Sequence, residues 1–165
     1  MNNKNSRKFV LSALFAAIIF VTTLLLPIPA PLLGNMNLGD CFVLLSGIVL
    51  GPAFGAVAAG VGSALADLVG YAIYAPATLI IKALMAFLIG FLYKKIQPKK
   101  IYYIPLFGLL SELIMICGYY LYEVILLGSF IAPLVNIPFN LAQALLGIIS
   151  STLIFGIIKK SNIFK

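Results

Sequence analysis

Along the chain, long apolar runs alternate with short breaks rich in proline, glycine or charge. The runs predict helices over about 9–26, 40–50, 53–70, 78–93, 103–127 and 134–158, all within one domain covering residues 1–165. Most of these are long enough to cross a hydrocarbon core of ~30 Å, which takes about 20 apolar residues. The second is short for a crossing and predicts either tilt or help from a preceding segment that dips into the membrane. That segment, PIPAPLLGNMNLGD from Pro27 to Asp40, holds three prolines, two glycines and two asparagines, so it is not regular helix. Lipid offers irregular backbone no partners, so this loop must lie in water or line a cavity.

Within the apolar runs, small and polar residues fall on faces. Ala13 and Ala17, with Ser12 and Ala16 beside them, make a small-residue face on the first helix, suited either to packing within the chain or to another membrane helix. Gly55, Ala59 and Ser63 recur at four-residue spacing in the third, which predicts close packing there. On a wheel of 100 degrees per residue, Tyr119 and Glu123 lie within roughly 20 degrees of Glu112. These residues form a polar stripe on the fifth helix. Asn136, Asn140, Gln143, Gly147 and Ser150 fall within roughly 40 degrees of a common line on the sixth. A carboxylate at membrane depth costs several kcal/mol and normally faces protein interior or a water-filled cavity. Two striped neighbours therefore predict a shared pocket, against the simpler alternative that the polar groups only glue helices together. Asp67, near the end of the third helix, and Lys82, one turn inside the fourth, are expected at similar depth as an intramembrane ion pair.

Composition makes the membrane assignment firm. Of 165 residues 63% are hydrophobic and 9% charged, with mean hydropathy +1.17, far from a soluble domain. There is no histidine, which removes the usual metal ligand and the Ser-His and H-E-x-x-H chemistries. Cys41 and Cys117 lack metal-site spacing and read as small core residues. No P-loop sequence occurs, so energy for uphill movement would come from an ion gradient or a partner. No metal, cofactor or enzymatic activity is expected. The net charge of +7 is topological and does not mark a nucleic-acid binder. With six spans, one side receives Lys4, Arg7, Lys8, Lys94, Lys95, Lys99, Lys100, Lys159, Lys160 and Lys165, leaving only Lys82. Both termini are then cytoplasmic by the positive-inside rule. The apolar run of the first helix continues past signal-peptide length into Pro27, Pro29 and Pro31 without a clear cleavage site, so it reads as a span.

The segment from Gly34 to Leu92, with its L-G-P-x-x-G, A-D-L-x-G-Y and P-A-T-x-x-I-K sequences, resembles the substrate-binding S components of energy-coupling factor (ECF) transporters. So do the A-x-x-x-A face and the striped fifth and sixth helices. The resemblance implies an all-α, six-span cell-membrane protein, in a bacterial cytoplasmic membrane, that captures a vitamin or cofactor precursor from outside with high affinity. It would deliver its cargo through a membrane coupling subunit driven by two cytoplasmic ATPases. By the same resemblance, Ala13 and Ala17 would contact the coupling subunit, and Asn35, Met36 and Asn37 would gate the ligand. The substrate-binding set is then Asn35, Met36, Asn37, Tyr74, Glu112, Tyr119, Glu123, Asn136, Asn140 and Gln143.

Carboxylates, amides and tyrosines suit a ring that donates hydrogen bonds or carries positive charge. The pattern looks closest to members handling pyridoxine-like or hydroxymethylpyrimidine-like compounds, whereas an acid such as biotin would have only Lys82 as a cationic partner. The rival reading is a stand-alone secondary carrier or channel with Glu112 as proton relay.

Overall fold

The computed structural model of the chain describes residues 3–25, 28–32, 35–97 and 101–161. Leu26 and Pro27, Gly34, the Lys99–Lys100 pair and Lys165 lie outside the described residues, as does the side chain of Lys4. The fold is nearly all helical: α1 (Asn3–Leu25), α2 (Gly39–Leu50), α3 (Pro52–Gly70), α4 (Ala75–Ile96), α5 (Tyr103–Leu127) and α6 (Ile137–Lys160). Among the described residues, five segments are long and apolar enough to span a bilayer: Ser6–Leu25, Pro52–Gly70, Ala72–Ile96, Tyr103–Leu127 and Ala132–Lys160. The exception is α2, whose 12 residues reach only about 18 Å at 1.5 Å per residue.

The starts of the fourth and sixth helices differ from the sequence expectation, each for a local reason. The fourth helix begins at Ala75 and is preceded by a 3-10 turn, Ala72–Tyr74. Pro76 falls in its first turn, where a missing N–H costs nothing. The same device moves the sixth helix: a 3-10 turn over Ala132–Asn136 leads into α6, which has Pro138 in its first turn. The proline-rich loop also holds order of its own. β1 (Ile28–Pro29) pairs antiparallel with β2 (Asn35–Met36), with Ile28 opposite Met36 and Pro29 opposite Asn35.

Short α2 is the hub, packed against α1, α3, α4 and α6, with Val43 and Leu44 wholly buried. Glycines permit the closest approaches. A Cβ on Gly47 would lie 2.2 Å from the Ala86 carbonyl of α4, and one on Gly62 of α3 would lie 2.5 Å from the Ala16 carbonyl of α1. Backbone therefore meets backbone at both crossings, the packing that small residues allow in membranes. Gly51, at φ 84, turns α2 directly into α3. Around this core the exterior is apolar, with side chains such as Ile80, Ile125 and Leu153 exposed, as a lipid-facing surface requires. Cys41 is buried as expected, but Cys117 faces outward, and neither is in a disulfide.

Candidate functional site

A polar cavity opens beneath the hairpin, between the hairpin end of α1, α3, the start of α4, the second half of α5 and the start of α6. Its free space is about 30 Å³, close-fitting and with room for only a few waters. Three hydrogen-bonded circuits build the wall.

The first runs from the hairpin into the hub. The Asn37 backbone N–H donates to Gln143 Oε1 at 2.9 Å, and Gln143 Nε2 donates to Asp40 Oδ2 at 2.6 Å. The other carboxylate oxygen of Asp40 takes the Lys82 ammonium. Asn37 is itself held, its side chain donating to Asn35 Oδ1 at 3.0 Å and accepting from the Gly39 amide at 2.9 Å. Asn37, Asp40, Lys82 and Gln143 are buried, so each must be partnered within the protein.

The second circuit corrects an expectation. Lys82 pairs with Asp40, not with Asp67. Asp67 instead accepts the Thr78 hydroxyl at 2.5 Å, and Thr78 is 2.9 Å from the Tyr119 hydroxyl. Since Thr78 has one proton and gives it to Asp67, Tyr119 donates to Thr78. The reason for the exchange of partners is that α2 lies at the centre of the bundle, and a charge on its first turn has no water to reach. Asp40 is 1% exposed, whereas Asp67 has a neutral hydroxyl donor beside it. The Lys82 ammonium also sits 5.4 Å from the centre of the Tyr119 ring, within cation–π range.

The third circuit orients Glu123. Its Oε1 accepts from the Tyr74 hydroxyl at 3.1 Å and from Asn136 Nδ2 at 3.0 Å. Tyr74 packs between Tyr119 and Tyr122, with ring centroids 6.2 and 5.7 Å away.

The cavity thus gathers Asn35, Asn37, Tyr74, Tyr119, Glu123, Asn136, Asn140 and Gln143 of the residues singled out in the sequence, together with Asp67 and Lys82. Met36 is half-buried on β2 and is not part of the lining. Glu112 is fully buried and also off the lining. Seven residues before Tyr119 on α5, it lies about 10 Å deeper along the helix axis. There it backs onto α6 and α2, where a Cβ on Gly147 would lie 2.8 Å from Glu112 Oε1 and 3.0 Å from Asp40 Cβ. Further along the α6 stripe, the Ser150 hydroxyl returns to the Leu146 carbonyl at 2.6 Å. Sequence reasoning missed Thr23, Ser63 and Thr78 as lining residues, because a lone hydroxyl in an apolar helix carries no periodic signal. Asp40 had one: it is among only four acidic residues in the chain, and a buried charge demands a partner. On α1, Ala13 and Ala17 are exposed on the outside of the bundle, while Ser12 is buried.

The matched family is described as ECF-type riboflavin transporter, S component, and its model aligns with residues 3–160. The chain belongs to this family. A protein of Pyrococcus woesei described as "Uncharacterized protein in gap 3'region" is 36% identical over 132 residues, covering 78% of this chain and 86% of its own length. Two solved structures share the S-component fold. One is the S component of a bacterial ECF transporter, with TM-score 0.72, 19% identity and coverage of 96% of this chain and 99% of that one. The other is an S component for biotin from an ECF-type ABC transporter, with TM-score 0.65, 22% identity and 94% of both chains covered. S components are substrate-binding subunits of transporters and not enzymes, and they work with a vitamin-like substrate, a membrane T subunit and ATPases. This S component is accordingly an integral, multi-pass membrane protein.

Proposed function

We propose that this S component captures a flavin-like vitamin in the cavity under the hairpin and hands it to a membrane coupling subunit powered by two cytoplasmic ATPases. The observation that carries the proposal is the polar cavity itself. Hydrogen-bonding groups from five helices and the hairpin converge on one small hollow in a bundle whose outside is apolar. Five side-chain amides lining it (Asn35, Asn37, Asn136, Asn140, Gln143) suit the polar edge of a ring system or a hydroxylated chain, and the Tyr74 and Tyr119 faces suit the ring plane. The family's description points to riboflavin. Neither that description nor the fold neighbours support a pyridoxine-like or hydroxymethylpyrimidine-like substrate. The free space is smaller than a vitamin, so entry requires the hairpin to yield, in keeping with a gating role for Asn35, Met36 and Asn37.

Orientation follows from where the charges sit. Arg7 and Lys8 lie near the start of α1, and Lys94, Lys95, Lys159 and Lys160 lie in the last turns of α4 and α6. Cavity residues Thr23, Thr78, Lys82 and Asn140 lie at the opposite ends of those helices. This distribution supports six membrane-embedded helices with cytoplasmic termini and a cavity that faces outward. Exposed Ala13 and Ala17 offer α1 as the surface for the coupling subunit.

Riboflavin titration of the purified protein, read by flavin fluorescence, together with mass spectrometry of whatever copurifies, tests the proposal. Tight binding of riboflavin supports it; a different copurifying molecule with no response to riboflavin would overturn the flavin assignment. A stand-alone carrier using Glu112 predicts flux in liposomes holding this chain alone. The capture reading predicts none until the coupling subunit and ATPases are added.

A further inference from the structure

Two side chains lining the cavity, on different helices, present a buried oxygen without a hydrogen-bond partner among the described residues. Ser63 Oγ on α3 and Glu123 Oε2 on α5 are both inaccessible to solvent and lack a hydrogen-bond partner, and both residues line the cavity. The serine is unusual in this bundle. Several buried or half-buried hydroxyls of other helices return to their own backbone: Ser12 to the Lys8 carbonyl at 2.8 Å, Ser111 to Phe107 at 3.1 Å and Thr152 to Ile148 at 2.7 Å, and buried Thr78 is satisfied by Asp67. Such a return to the backbone is the default for serine and threonine in an apolar helix, and Ser63, 1% exposed, does not take it. The glutamate is held in a fixed orientation. Both of its donors, Tyr74 and Asn136, converge on Oε1, which leaves Oε2 as a pure acceptor.

Buried polar groups without partners are costly and uncommon in folded proteins. Two of them facing one hollow are accounted for if a ligand completes them. Resting on the capture reading above, we propose that Glu123 Oε2 and Ser63 Oγ are the specificity-determining contacts: the bound molecule places an N–H or O–H donor on Glu123 and a hydroxyl or carbonyl on Ser63, and carries no anionic group at the Glu123 end. The ligand class is therefore a donor-bearing ring or polyol without an anionic group at that end. Glu123→Gln inverts the polarity of this contact. The amide oxygen keeps Tyr74 and Asn136, so the NH₂ takes the place of Oε2 and meets the ligand's donor with another donor. Ser63→Ala removes the other contact while filling nearly the same volume.

The test measures two properties of wild type, Ser63→Ala and Glu123→Gln in detergent: the melting temperature of the ligand-free protein and the affinity for riboflavin. Each variant is expected to melt at or above the wild-type temperature without ligand, because it removes an unsatisfied group or a buried charge. Each is also expected to bind riboflavin roughly tenfold or more weakly, the loss of one buried hydrogen bond. A drop of several degrees in the ligand-free protein would show a structural partner and overturn the proposal, as would affinity within twofold of wild type. If wild type ignores riboflavin, the flavin assignment falls, and the ligand-free melting temperatures alone decide between vacant contacts and structural ones.

Discussion

Gln143 Nε2 donates to Asp40 Oδ2 at 2.6 Å across 103 residues of chain, and its Oε1 accepts the Asn37 amide. One amide thus ties the end of the hairpin segment to the buried ion pair at the hub. Replacing it with an isosteric apolar residue, Gln143→Leu, leaves the Asn37 N–H and one Asp40 oxygen bare. A loss of about 1–3 kcal/mol is expected, with faster hydrogen exchange at Asn37 to Gly39. Unchanged exchange in that segment would mean that Gln143 does not hold the hairpin.

The Asp40–Lys82 pair is buried on both sides, so removing one partner should be much worse than removing both. Lys82→Met is expected to cost about 3–5 kcal/mol, and Lys82→Met with Asp40→Leu substantially less. Asp67→Asn, which keeps an acceptor for Thr78, should cost less than Asp40→Asn. Thermal unfolding in detergent reads all four. The ion-pair assignment fails if Asp67→Asn is the more damaging of the two.

Glu112 presents the reverse case. Both carboxyl oxygens are buried without a hydrogen-bond partner among the described residues, so Glu112→Met should raise stability, by about 1–3 kcal/mol. A fall in melting temperature would reveal a bonded role for this carboxyl.

Lys82 is the cationic side chain among the cavity lining residues, and its ammonium is committed to Asp40. An acidic vitamin therefore finds no free positive partner among the described lining residues of the cavity. A large excess of biotin should leave riboflavin binding unchanged in competition titrations, and displacement would show that Lys82 can leave Asp40.

Ala13 is exposed on α1 and is not among the cavity lining residues, so Ala13→Trp should leave ligand capture unaltered. With coupling subunit and ATPases present, ATP-driven uptake should be abolished, because the bulky ring prevents close helix approach. Uptake at the wild-type rate would place the coupling surface elsewhere.

The last polar stripe was legible because Asn136, Asn140 and Gln143 recur at helical spacing, and all of them reach the cavity, although Asn136 lies in the 3-10 turn that leads into α6. The α5 stripe was legible only in part. Tyr119 and Glu123 reach the cavity, but Glu112 shares their angular position and lies too far down the axis, a displacement a helical wheel does not show. Ser63 and Thr78 were not legible as site residues, since a single hydroxyl fits a lipid-facing, packed or ligand-facing position equally well.

The sequence alone determined that this chain lives in a membrane, where its helices run and which faces carry polar groups, because these follow from the cost of exposing backbone and charge to hydrocarbon. Tertiary structure decided the partners. Lys82 meets Asp40 and not Asp67 because α2 packs at the centre of the bundle and buries the aspartate on its first turn beside the ammonium, and no spacing along the chain encodes which of two buried carboxylates that ammonium meets.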